Sequence, residues 1–362
     1  MIGSRGKLMI FYRKFPRIAR LLVLLMIGTI LFGGMLYFVK NGQQPVLLYL
    51  YQPGTDYETI MRSSLNSSPE VFLAEFGSLQ DMQPSPDGKW LGVIITDADG
   101  AMQVEVYNTR SAKLESSYDC SDMQCSALEW KTDASALYFH QFSNGSKSSI
   151  LSLNITTDQI EEVPIDARYA PLYFSPSPDG RYQVIYDENA KGFFVLDNWK
   201  LELILVKSEG ASPVLWLNDP LRVLLVATEH EDKIPVTHIT EITPGTLQIR
   251  YLKDSDITNM DFNNLAIHPN GEDLVFGCRP VLHSSSRQLC VSNMTEFIGE
   301  QLTNKQSRNH AGAVFDSSGT WLAYQTYNLE SSASKPTIWV MGWSTGSTIQ
   351  VADNAAMPRW IP

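Results

Sequence analysis

The hydrophobic residues of this chain are grouped in short runs of about three to seven residues, and polar turns separate the runs. Residues 90–94, 137–139 and 274–276 are examples. Runs of this length that are rich in aliphatic and aromatic residues predict β-strands. No segment after residue 45 has the period of about 3.6 residues that an amphipathic helix requires. The pattern therefore predicts an all-β fold.

One turn motif precedes many of these runs. Its clear copies begin at Ser85 and Ser177, which read Ser-Pro-Asp-Gly, and at His268, which reads His-Pro-Asn-Gly. Proline fixes φ in such a turn, Asp or Asn bonds to its own backbone, and glycine takes the position with positive φ. Together with weaker copies, the motif recurs about every 40–50 residues. A repeat of that length with several short strands is typical of a β-propeller.

The phrase Ser-Pro-Asp-Gly followed by a basic and an aromatic residue, as in residues 177–182, resembles the TolB-like, WD-repeat-like propellers of bacterial envelope proteins. The resemblance covers nearly all of the chain after residue 45. It implies the propeller fold. It does not imply one partner, because propellers of this family serve as docking platforms and as accessory domains of enzymes.

The two ends of the chain predict the number of blades. Residues 356–362 look like the inner strand of a blade, and residues 46–51, 58–62 and 70–76 look like the three strands that this blade lacks. We therefore predict seven blades, the last of them completed by both termini so that no sheet edge stays open. The alternative is a six-bladed ring with the residues before Gly77 as an irregular arm.

The N-terminal part predicts a membrane anchor. Residues 21–39 are 19 consecutive uncharged, mostly apolar residues, preceded by six basic residues and no acidic one. This length crosses a bilayer, and the charge keeps the N-terminus in the cytoplasm. We predict a cytoplasmic tail (1–20), a single transmembrane signal anchor (21–39), a linker (40–45) and an extracytoplasmic propeller (46–362). A cleaved signal peptide is the alternative, although no A-x-A site follows the run.

The chain after Lys40 is acidic, with 21 basic and 39 acidic residues and a net charge of −18. This charge disfavours binding to nucleic acid. In a propeller, the loops from second to third strand and from fourth strand to the next blade share one face. We predict that this face is acidic and binds a protein, a peptide or a cation. The acidic residues assigned to it are Asp56, Glu58, Asp97, Asp99, Asp119, Asp122, Asp166, Asp187, Glu188, Glu209, Glu229, Glu231, Asp232, Asp254 and Asp256.

The four cysteines form two close pairs. Cys278 and Cys290 fall on neighbouring strands of one predicted blade, and Cys120 and Cys125 flank a connection between blades. We predict two disulfides and an oxidising compartment, with four buried free thiols as the alternative. The spacing does not match the doubled C-x-x-C pattern of a zinc site.

Two motifs suggest chemistry without completing it. Asp97 and Asp99 place two carboxylates in one hairpin loop and could offer ligands to calcium, but no third carboxylate follows at the next alternate position. The sequence around Ser344 matches G-x-S-x-G, but it lies in a predicted turn and no histidine follows it. We predict no catalytic set and no cofactor besides this possible calcium.

The sequence thus favours a membrane-anchored propeller that docks a protein, a peptide or a cation. One alternative is an envelope enzyme, a hydrolase or lyase, with its site at the central channel. Another is a structural subunit of an envelope complex. Convergence of His, Asp and Glu side chains in the channel would favour the enzyme.

Overall fold

The computed structural model describes residues 45–362 apart from 66, 75, 98, 144–147, 167, 211–213, 232–233, 253–264, 280–284, 298 and 332, and no side chain is described at 230–236. The predicted tail and anchor, and the linker up to residue 44, lie outside the described residues. In the part that is described, no helix has the length and apolar character needed to cross a bilayer. This part contains 28 strands joined by turns and loops.

The first fourteen strands, in chain order, are β1 (Val46–Tyr51), β2 (Thr59–Ser64), β3 (Glu70–Leu73), β4 (Ser78–Pro84), β5 (Trp90–Thr96), β6 (Met102–Asn108), β7 (Leu114–Asp119), β8 (Gln124–Trp130), β9 (Ala136–Phe142), β10 (Ser148–Asn154), β11 (Gln159–Glu162), β12 (Pro171–Pro176), β13 (Tyr182–Asp187) and β14 (Gly192–Asp197). The other fourteen are β15 (Leu201–Lys207), β16 (Val214–Asn218), β17 (Leu221–Glu231), β18 (Ile234–Thr243), β19 (Gln248–Leu252), β20 (Ala266–Ile267), β21 (Asp273–Cys278), β22 (Gln288–Asn293), β23 (Gly299–Gln301), β24 (Arg308–Phe315), β25 (Trp321–Asn328), β26 (Thr337–Gly342), β27 (Thr348–Asp353) and β28 (Ala355–Ile361).

These strands form seven antiparallel sheets of four strands, the blades of a propeller. Blade 1 has the order β28-β1-β2-β3, and blades 2 to 7 each use four consecutive strands, from β4-β5-β6-β7 to β24-β25-β26-β27. The first strand in each order is the inner strand, and neighbouring inner strands such as β24, β28 and β4 are in contact. The prediction of an all-β propeller with seven blades is therefore confirmed, and the six-bladed alternative is wrong.

Blade 1 closes the ring by joining the two ends of the propeller. β28 pairs with β1, with Leu47 opposite Trp360 and Tyr51 opposite Ala355. The Trp360 side chain is buried, and its indole Nε1 donates a hydrogen bond of 3.1 Å to the carbonyl of Val314 in blade 7. The predicted closure by the terminal strand is confirmed.

The repeated turn holds its shape through its own side chains. In the first copy, Asp87 Oδ1 accepts hydrogen bonds from the backbone N–H of Lys89 (3.0 Å) and from the Ser85 hydroxyl (2.7 Å). Gly88 has a φ of +69°, and a Cβ at this residue would lie 2.6 Å from the carbonyl oxygen of Pro362. Glycine is required here both by the positive φ and by the close approach of the chain terminus.

The hydrophobic core is divided into seven clusters, one in each seam between neighbouring blades. Successive residues of one strand serve opposite seams, since Leu47 packs towards blade 7 and Leu48 packs towards blade 2. Because both faces of the central strands are buried, their sequences are uninterrupted apolar runs instead of alternating patterns.

Both predicted disulfides are present in the structure. Cys120 and Cys125 are joined with a Cα–Cα distance of 6.2 Å, and Cys278 and Cys290 with 5.9 Å. The first bond closes the connection between blades 2 and 3, and the second links β21 to β22 of blade 6. Disulfides of this kind persist in oxidising compartments.

Candidate functional site

The propeller has two faces that differ in their loops. We call the side with the Ser-Pro-Asp-Gly turns the turn face. The opposite side, the loop face, carries the connections from second to third strand, such as β5 to β6, and from fourth strand to the next blade, such as β7 to β8. The predicted acidic residues belong to these connections or to the strand ends beside them.

The predicted acidic residues fall into four groups: exposed, half-buried, buried, and outside the described residues. Those with exposed side chains are Asp56, Asp99, Asp119, Asp122, Asp166, Glu188 and Glu209, whereas Asp97 and Glu229 are half-buried. Glu58 and Asp187 are buried. Asp232, Asp254 and Asp256, and the side chain of Glu231, lie outside the described residues.

The two buried carboxylates stabilise loops and are not available to a partner. Glu58 accepts backbone hydrogen bonds of 2.6 Å from Gly54 and from Leu79, which ties its loop to β4 of blade 2. Asp187 accepts backbone hydrogen bonds from Ala170 (2.6 Å) and Ala190 (2.8 Å). Sequence alone could not distinguish them from surface acids, because each is bound by backbone N–H groups of a neighbouring loop.

Asp97 and Asp99 lie in the β5–β6 hairpin as predicted. Asp97 Oδ1 accepts hydrogen bonds of 2.9 Å from the backbone N–H groups of Asp99 and Ala101, so this oxygen closes the turn. Across the described residues, no group of three His, Cys, Asp or Glu side chains is arranged to hold a metal ion. Calcium binding by this pair stays a prediction.

The loop face changes sign between blade 5 and blade 6. The exposed acids named above belong to blades 1 to 4 and to the connection that leads to blade 5. They outnumber the exposed cations there, Arg168, Lys191 and Lys207, of which Arg168 pairs with Asp166 (3.4 Å) and Lys191 with Glu188 (3.8 Å). The loops of blades 6 and 7 carry five cationic residues, Arg279, Arg287, Lys305, Arg308 and Lys335, against the acids Glu330 and Asp353. The described part of the face is therefore divided into an acidic and a basic region and is not uniformly acidic. The cationic residues were visible in the sequence, but only the order of the blades groups them.

Two of these cations contact one tryptophan. Lys305 Nζ lies 4.9 Å from the centroid of the Trp339 ring, and Arg308 Cζ lies 5.7 Å from it. Arg308 Nη1 also donates to the Thr326 hydroxyl at 3.4 Å. Neither cation forms an ion pair with a described carboxylate. They present positive charge on an aromatic support at the centre of the basic region.

Polar residues on the inner strands of blades 1 to 4 form a second cluster. Five inner strands contain one extra residue relative to their partner strand, a β-bulge. The first paired residue after the bulge is Arg359 in blade 1, Asp81 in blade 2, Glu129 in blade 3 and Tyr173 in blade 4, and each of these is half-buried. We call these four residues the polar arc.

Three members of the polar arc tie neighbouring blades together. Arg359 Nε donates to the carbonyl of Met82 at 3.1 Å. Asp81 Oδ2 accepts from the backbone N–H of Leu128 at 3.0 Å. The Tyr173 hydroxyl accepts from the backbone N–H of Val214 at 3.4 Å. These bonds connect blades 1 to 2, 2 to 3, and 4 to 5.

The fourth member, Glu129, lies near Asp81 and Tyr173, and both affect its pKa. Burial and then the charge of Asp81 raise its pKa to about 8, and the Tyr173 hydroxyl acts in the opposite direction. Burial also raises the pKa of Tyr173, with a further contribution from the Glu129 charge. Burial lowers the pKa of Arg359, and Asp81 opposes that shift. Two carboxyl groups, a phenol and a guanidinium on neighbouring inner strands thus interact with one another, and none of the four residues of the arc is a histidine.

Comparison with known proteins identifies the fold. No protein-family model and no curated protein sequence matches the chain. Among solved structures, TolB from Acinetobacter baumannii aligns with a TM-score of 0.53 and 12% identity, over 90% of this chain and 70% of that one. The chain has a TolB-like β-propeller fold. The β-propeller domain of the Trilobed protease from Pyrococcus furiosus also aligns with this TolB-like propeller, with a TM-score of 0.57 and 12% identity over 77% of this chain and 84% of that domain.

A prolyl endopeptidase gives a further structural match, with a TM-score of 0.63 and 13% identity. The alignment covers 86% of the TolB-like propeller chain but 50% of the endopeptidase. At this identity the likeness shows the fold alone. Ser344, in the G-x-S-x-G match, is exposed in the turn between β26 and β27.

Proposed function

We propose that this TolB-like propeller is a docking module of the cell envelope, tethered to the membrane by residues 21–39, which binds a protein or peptide through its loop face. The long apolar run after six basic residues supports the tether. The two disulfides support an oxidising, extracytoplasmic location.

The observation that carries the proposal is the division of the loop face into an acidic region on blades 1 to 5 and a basic region on blades 6 and 7. A partner that presents a basic and an acidic segment side by side can bind such a face in one orientation. Complementary charges of this kind set the orientation and accelerate the encounter. Lys305 and Arg308, supported by Trp339, are the strongest anchor for the acidic segment.

Charged model peptides test each region separately on the full-length chain. Asp99→Lys with Asp122→Lys should weaken binding of oligolysine, and Lys305→Glu with Arg308→Glu should weaken binding of oligoglutamate. We expect each reversal to lower the affinity for one peptide by about tenfold or more, and we expect binding to weaken as salt increases.

The matched controls carry the same charge reversals on the turn face, where Lys113 and Glu296 are exposed. Lys113→Glu and Glu296→Lys should leave both affinities unchanged. If the loop-face and turn-face variants bind the two peptides equally well at low salt, the loop face is only a soluble surface and the docking proposal fails.

One observation favours a second candidate, an enzyme with its site in the channel. A carboxyl group with a pKa of about 8, as in Glu129, can donate a proton at neutral pH. Against this, Asp81, Tyr173 and Arg359 already hold backbone groups of neighbouring blades. Hydrolysis of ester, peptide or glycoside substrates that Glu129→Gln abolishes would favour the enzyme over the docking module.

A further inference from the structure

A polar cavity lies between blades 5 and 6 on the turn face. Its volume is about 470 Å³. Blade 5 contributes Arg222 from β17, Glu241 from β18 and Arg250 from β19, and blade 6 contributes the turn that contains Asn270 and Glu272. The cavity is on the opposite face from the proposed docking surface, so a ligand could bind there whether or not the loop face binds a partner.

The cavity interrupts an otherwise apolar seam. Leu224 and Val226 of blade 5 pack with Phe276 of blade 6 in the hydrophobic cluster of this seam. Glu241 is paired directly with Leu224, and Arg222 is two positions before Leu224, so strand alternation places all three on one sheet face. The same face is thus apolar along the seam and charged where it meets the turn face.

The charged residues are arranged around a single oxygen atom. Glu241 is buried, and its Oε2 accepts hydrogen bonds from Arg222 Nη1 (3.0 Å) and Arg250 Nη2 (3.1 Å). Arg250 Nη2 also donates to the carbonyl of Met294 at 2.8 Å. Burial of charged groups is costly unless they are paired, so this network fixes both guanidinium groups at the cavity wall.

These bonds do not use all the donors of the two arginines. A guanidinium has five N–H donors, and the bonds above use one nitrogen of each side chain. Arg222 Nε is buried and has no hydrogen-bond partner among the described residues. Because that atom is closed off from solvent, the donors that remain for a ligand in the cavity are the other N–H groups of the terminal nitrogens of Arg222 and Arg250, which line it. Guanidinium groups bind both carboxylate and phosphate oxygens, and the acidic residues Asp219 and Glu272 in the cavity lining disfavour the more highly charged phosphate.

The cavity also contains charge of the opposite sign. Asp219 and Glu272 line it, and both are exposed. A simple anion would be repelled by these carboxylates, and a simple cation by the arginines. We propose that the cavity binds a small zwitterion, a free amino acid or a short peptide, with its carboxylate on Arg222 and Arg250 and its ammonium group on Asp219 and Glu272. The volume lies in the range of about 300–1,000 Å³ that is usual for small-molecule sites.

Calorimetric titration of the full-length protein with the dipeptide L-alanyl-L-alanine tests the proposal. We expect the dipeptide to bind, and its N-acetyl and C-terminal amide derivatives to bind at least about tenfold more weakly, because each lacks one charged end. Glu272→Gln, at an exposed position, should weaken the dipeptide but not the N-acetyl derivative. Arg222→Lys keeps the charge beside Glu241, but should weaken the dipeptide and not the amide.

The control variant is Glu296→Gln, because Glu296 is exposed in the β22–β23 turn of the same blade and does not line the cavity. It should bind the dipeptide like the unmodified protein. The proposal is overturned if the dipeptide does not bind at millimolar concentration, if both blocked derivatives bind as well as the dipeptide, or if Glu272→Gln has no more effect than Glu296→Gln. These results do not depend on Arg222→Lys being stable.

Discussion

Trp360 joins the two ends of the propeller, and its removal should destabilise the whole ring. The side chain is 6% exposed and packs with Leu47, Ile338 and Val340. Truncation of a buried tryptophan to alanine costs about 3–5 kcal/mol of unfolding free energy. The loss of its bond to the Val314 carbonyl adds about 1 kcal/mol. We therefore expect Trp360→Ala to lower the free energy of unfolding by about 4–6 kcal/mol.

The chain offers a matched control for this substitution. Trp130 is also 6% exposed, ends the inner strand of blade 3, and donates from its indole to the Gln83 carbonyl of the preceding blade at 2.8 Å. If the seam at the termini is as well packed as an internal seam, Trp130→Ala and Trp360→Ala should have similar costs. Trp360→Phe, which keeps most of the packing, should cost about 1–2 kcal/mol.

Deletion of residues 355–362 should cost more than Trp360→Ala, because it also removes the pairing of β28 with β1 and exposes an edge. Urea unfolding of the full-length protein, followed by far-UV circular dichroism, measures all four variants. The closure of the ring would be refuted if Trp130→Ala showed the full cost while Trp360→Ala and the deletion each cost less than about 1 kcal/mol.

Two further predictions concern stability. Folding raises the pKa of Glu129 from its ordinary value of 4.5 to about 8, so between these pH values the folded protein keeps a proton that the unfolded chain has lost. The stabilisation from this group is complete below pH 4.5 and is lost as the pH rises through 8. Glu129→Gln should therefore be more stable than the unmodified protein by about 1–3 kcal/mol at pH 9 and not at pH 4, as measured by urea unfolding; equal stability at pH 9 would contradict the shift. Gly88→Ala should cost more than Gly180→Ala, because both glycines have a positive φ but only a Cβ at Gly88 would meet a backbone atom, the Pro362 carbonyl oxygen at 2.6 Å. Thermal unfolding measures both, and equal costs would show that the terminus does not lie against this turn.

The sequence predicted the repeat because its turn motif is a local signal, and it predicted the blade number and the closure because the strands left over at the two ends complete one blade. A turn motif determines its own backbone conformation, and β1 has the predicted limits, Val46–Tyr51. The third and fourth strands of blade 1, predicted at residues 58–62 and 70–76, are Thr59–Ser64 and Glu70–Leu73. Strand ends are less certain because the loops that follow decide where pairing stops.

The contacts that build the candidate sites were not predictable in this way. The bonds from Leu128 to Asp81 and from Trp130 to Gln83 each span 47 residues, and the bond from Trp360 to Val314 spans 46. These separations match the length of one repeat. The period therefore implies that side chains bridge neighbouring blades, but it does not identify which ones, because the choice depends on the register of each inner strand.

The β-bulges of the inner strands explain how one repeated scaffold carries different chemistry in each blade. A bulge bends its strand locally and redirects the side chain of the residue beside it. In blades 1 to 4 this residue is polar and ties one blade to the next or titrates beside such a tie. In blade 7 it is Val314, whose side chain packs in the seam to blade 1 and whose carbonyl accepts a hydrogen bond from the Trp360 indole. The polar arc therefore depends on which residue each blade has at one repeated position. The same holds for the cavity between blades 5 and 6, where Arg222, Glu241 and Arg250 lie at the end of an otherwise apolar seam. Because the strand geometry is repeated from blade to blade while the side chains differ, a propeller can acquire a site without losing its fold.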